Sequence, residues 1–81
     1  MKMDQAKIDE TVLALLSLWS WEEHSVHRAW KSFDWDVINR LHERGYISDP
    51  VGKAKSITLS SDGQEKAQAL IRKLFEIPED E

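Results

Sequence analysis

The run DWDVINRLHERGYISDPVGKAKSITL, from Asp34 to Leu59, decides the fold. It reads as a short helix closed by Gly45, then two β-prone stretches joined by Asp49-Pro50-Val51-Gly52-Lys53-Ala54-Lys55. Asp34 is placed to cap the helix, and Asp36 in its first turn suits the positive end of the helix dipole. Val37, Ile38 and Leu41 recur at helical spacing with Trp35 beside them, while Asp36, Asn39, Arg40 and Glu43 fall on the other side. One face is therefore expected in the core and the other against water or a partner. Gly45 supplies the left-handed conformation that ends a helix, with Tyr46 behind it placed to pack back on Leu41. Tyr46-Ile47-Ser48 and Ser56-Ile57-Thr58-Leu59 are expected as the two arms of a hairpin, the second alternating polar and apolar residues. Pro50 and Gly52 lie in the intervening loop, where neither interrupts a strand.

Upstream of this run, Ile8, Val12, Leu15, Leu16 and Trp19 form a helical stripe that Leu13 and Leu18 widen to about half the circumference. Asp4 is its expected cap. So broad a face suits a helix covered on two sides, by two neighbours in its own domain or by one neighbour and a second subunit. The polar cluster Ser20 to Ser25 reads as a loop. Val26, Trp30 and Phe33 are spaced to face inward from a short middle helix. Downstream, Ser60 or Ser61 is placed to cap a last helix, and Ser61 with Gln64 offers a capping box. Ala67, Leu70, Ile71, Leu74 and Phe75 make its core stripe, and Pro78 with Glu79-Asp80-Glu81 stops it. Residues 1–6 and 78–81 are expected to be flexible ends of a single domain.

At 81 residues the chain supports one core with little stability to spare. Its 41% hydrophobic and 32% charged residues are those of an ordinary globular domain. The absence of cysteine excludes disulfides, thiolate metal sites and cysteine nucleophiles, and points to an intracellular protein. No apolar run approaches a membrane span and no basic segment precedes an apolar signal core, so a cytoplasmic location without membrane contact is expected. The net charge of -4 is unevenly spread. Residues 24–55 carry six Lys/Arg against four Asp/Glu, and both flanking segments are acidic. The one positive segment coincides with the central helix and its loop.

Arg44-Gly45-Tyr46-Ile47-Ser48 and Leu59-Ser60-Ser61-Asp62-Gly63 are similar to the helix-to-wing and wing-to-helix junctions of bacterial winged helix-turn-helix domains, which the chain resembles from about Asp9 to Leu74. It resembles more closely a small bacterial family of uncharacterised domains, through His27-Arg28-Ala29-Trp30-Lys31, Phe33-Asp34-Trp35-Asp36 and the run from Ile47 to Ser56. Residues 19–26 depart from that pattern. The implied fold is mainly α with a small β-hairpin: a winged helix with a three- to four-helix core and a two-stranded antiparallel wing. The second family carries no assigned activity.

A winged helix implies double-stranded DNA as partner, with the central helix in the major groove and the wing on the backbone. Asn39, Arg40 and Arg44 are then the candidate recognition residues, with Arg28, Lys31, Lys53 and Lys55 on phosphates. Asp34, Asp36 and Glu43 oppose this, because they outweigh Arg40 and Arg44 on that helix. Binding as a homodimeric transcription regulator would offset so weak a helix. The alternative is a protein-interaction or assembly domain that does not bind DNA. Most of the four tryptophans are expected in the core, but Trp21 or Trp30, with Arg28, is a candidate interface anchor. His24 and His27, with Glu23 or His42, are too few for a closed metal site, so no metal or cofactor is expected. Ser25, His27 and Asp34 lack a nucleophile turn, and no glycine-rich phosphate loop is present, so catalysis is not expected.

Overall fold

The computed structural model describes residues 1–79. It contains three helices and a three-stranded antiparallel sheet, in the order α1 (Gln5–Leu18), β1 (Trp21–Glu23), β2 (Val26–Trp30), α2 (Trp35–Glu43), β3 (Ser56–Leu59), α3 (Ser61–Phe75). It is thus a small mixed α/β domain. Asp80 and Glu81, part of the acidic end read from the sequence, lie outside the described residues.

The helices form where their caps and stripes place them. Asp4 accepts from the Lys7 N–H, Asp34 from the Val37 N–H and Ser60 from the Gly63 N–H, each satisfying a donor that the first turn leaves unpaired. Because Ser60, not Ser61, is the cap, Gln64 falls one position too late for a capping box, and its side-chain amide donates to the Leu59 carbonyl. Gly45, at φ +79, ends α2. Its N–H donates to the His42 carbonyl at 2.9 Å and the Tyr46 N–H to the Leu41 carbonyl at 3.1 Å, the paired bonds of a Schellman closure.

The segment from Ser20 to Phe33 is where the expectation fails. In place of a loop and a short middle helix it folds as the hairpin β1–β2, with Trp21 opposite Arg28 and Glu23 opposite Val26. Val26 and Trp30 are four apart, a spacing that puts residues on one side of a helix but equally on one side of a strand. The two-residue turn holds His24 and Ser25 at φ 52 and 67, the mirror-image turn whose twist matches the strands. With β2 in the place of the middle helix, α2 follows a strand in the chain, and the helix ahead of it on which it packs is α1. The core has three helices.

The expected two-stranded wing is also altered. β3 pairs along its length with β2, from His27–Leu59 to Trp30–Ser56. On its other side Tyr46–Ser48 adds only the Ile47–Leu59 bridge, with the Ser48 N–H on the Thr58 carbonyl and the Ser60 N–H on the Tyr46 carbonyl. Ala29, Ile57 and Leu59 face the core with Leu13, Leu16, Ile38, Leu41, Ile47 and Ala67. α1 packs on α3, α2 and β2, so neighbours within the domain account for most of its broad stripe. The stripe of α3 is buried at Ala67 and Leu70, half-buried at Ile71, and open at Leu74 and Phe75.

Candidate interaction surface

The residues read as DNA contacts are not brought together as a free basic face. Arg40 is turned back onto α1, where its Nε and Nη2 donate to Asp9 Oδ2 at 2.7 Å and Oδ1 at 2.9 Å. Lys31 donates from Nζ to the Pro50 carbonyl at 2.6 Å and the Gly52 carbonyl at 3.3 Å, strapping the loop after residue 48 onto the end of β2. Arg28 lies on the sheet face away from the core, with Nε and Nη2 both on Ser56 Oγ. Asn39 is half-buried, its amide 3.5 Å from Glu43 Oε1. Only Arg44, Lys53 and Lys55 of this set are exposed. Three of the seven cations and amides thus hold the fold, and the acidic Asp36 beside them stays in solvent.

Asp9 is the residue the sequence reading missed. It is 1% exposed on the same line of α1 as Leu13 and Leu16. That line was the available signal, since a carboxylate at a core position needs a partner on the helix packed against it. Arg40 supplies the partner and Gln5 adds a donor at 3.1 Å. Arg40's hydrogen bonds hold the Asp9 carboxyl below its usual range, against burial, which acts to raise it. The same bonds raise Arg40.

The tryptophans are not mainly core. Trp19 is 63%, Trp30 58% and Trp35 52% exposed, and Trp21 is half-buried. Trp21 and Trp30, diagonal neighbours on the outer sheet face, pack with ring centroids 4.8 Å apart and planes tilted by 44°. The Trp21 indole N–H donates to Glu23 Oε2. Behind Trp30, between the end of α1 and β2, lies a cleft of about 350 Å³ lined by Leu15, Leu16, Trp19, Ala29, Ser32 and Phe33 together with Trp30. No lining residue carries a charge. Helical periodicity placed Trp19 in the core because it was counted as part of the stripe. It is the C-cap residue, where the chain leaves the helix and the periodicity no longer applies.

His24 sits in the β1–β2 turn and His27 on β2, opposite Glu22 and Leu59. Among the described residues no three His, Asp or Glu side chains converge as metal ligands. No helix among them is long and apolar enough to cross a membrane.

A family profile described as "Domain of unknown function (DUF6429)" matches residues 4–77. The chain is 49% identical over 75 residues to "Uncharacterized protein y4hR" of Sinorhizobium fredii (strain NBRC 101917 / NGR234), spanning 93% of this chain and 97% of that protein. No solved structure matches the chain. The matched span takes in all three helices, the whole sheet and the aromatic cleft, and on that extent the chain belongs to the family described as "Domain of unknown function (DUF6429)".

Proposed function

We propose that this chain is a small binding module without catalytic activity that works by protein contact and not by reading DNA. Its finer architecture is winged-helix-like in that α2, the Tyr46–Ser48 segment and β3 follow in the order of a helix and its wing. The observation that carries the reading is the uncharged cleft beside Trp19 and Trp30. Large aromatic side chains left half open around a pocket, with no charge among them, have the composition of an interface centre. The electrostatics point the same way. A phosphate backbone is held by unspent cations, whereas Arg28, Lys31 and Arg40 are bonded within the domain and the whole chain carries -4.

A second reading, a DNA-binding transcription regulator, is favoured by one observation: Arg44, Lys53 and Lys55 remain exposed. Titrating the full chain with random-sequence duplex DNA at low salt, read by tryptophan fluorescence, separates the two. The proposal expects no binding. Binding that weakens steeply with salt and is lost in the Lys53→Ala, Lys55→Ala double variant would move the conclusion to DNA.

A further inference from the structure

We draw no further inference here: the strongest candidate, the uncharged apolar cleft between the end of α1 and β2, belongs to the surface already described, and nothing in the structure shows what covers it.

Discussion

Asp9 stands in the buried line of α1, and that single position explains why Arg40 is not available to a ligand. Arg40→Ala leaves a carboxylate in the core with only Gln5 as donor, so the melting temperature is expected to fall by several degrees at neutral pH. The sign with pH follows from the lowered Asp9 pKa. The pair's contribution is complete above the carboxyl's ordinary 3.8 and is lost as pH falls through the lower folded value. In Arg40→Ala burial is opposed only by the lesser effects of the Gln5 hydrogen bond and the Arg44 charge and favours the protonated form of Asp9, so the gap between variant and wild type should narrow on acidification. Thermal unfolding across pH 3 to 7 checks both statements; a gap that widens toward acid would contradict them. Gly63 is the other decisive residue. A Cβ there would fall on the Tyr46 carbonyl oxygen, with the Tyr46 carbonyl carbon 2.9 Å away, and both atoms are backbone. Gly63→Ala is expected to cost about 2 kcal/mol in urea unfolding.

At the scale of the elements, the helices were legible and the first hairpin was not. Asp4, Asp34, Gly45 and the wide stripes carried local signals strong enough to place α1, α2 and the close of α2. The β1–β2 turn carries no Asn-Gly or Asp-Gly, and the spacing of Val26 and Trp30 satisfies either period, so only pairing with β3 decides that β2 is a strand. The same gap hid the site. Trp30 and Trp21 were visible as possible anchors, but the cleft needs the end of α1 brought against β2, a tertiary fact. Two consequences are measurable. His24→Asn with Ser25→Gly supplies residues that tolerate positive φ and is expected to raise stability by about 1 kcal/mol; a loss would contradict the mirror-image turn. Ser60→Ala removes both the α3 cap and a 2.6 Å bond to the Gly45 carbonyl, and is expected to lower stability by about 1–2 kcal/mol.

At the scale of the molecule, the candidate DNA face and the aromatic cleft lie apart. Arg44, Lys53 and Lys55 lie at the end of α2 and in the strapped loop, whereas the uncharged aromatic surface lies where α1 gives way to the sheet. Contact through the second surface, and not through the first, is the central claim. The measurement is a proton–nitrogen correlation spectrum of the full chain, recorded at low salt without and with duplex DNA. The account predicts that DNA moves no signal. DNA-dependent shifts of the Arg44, Lys53 and Lys55 amides would contradict it.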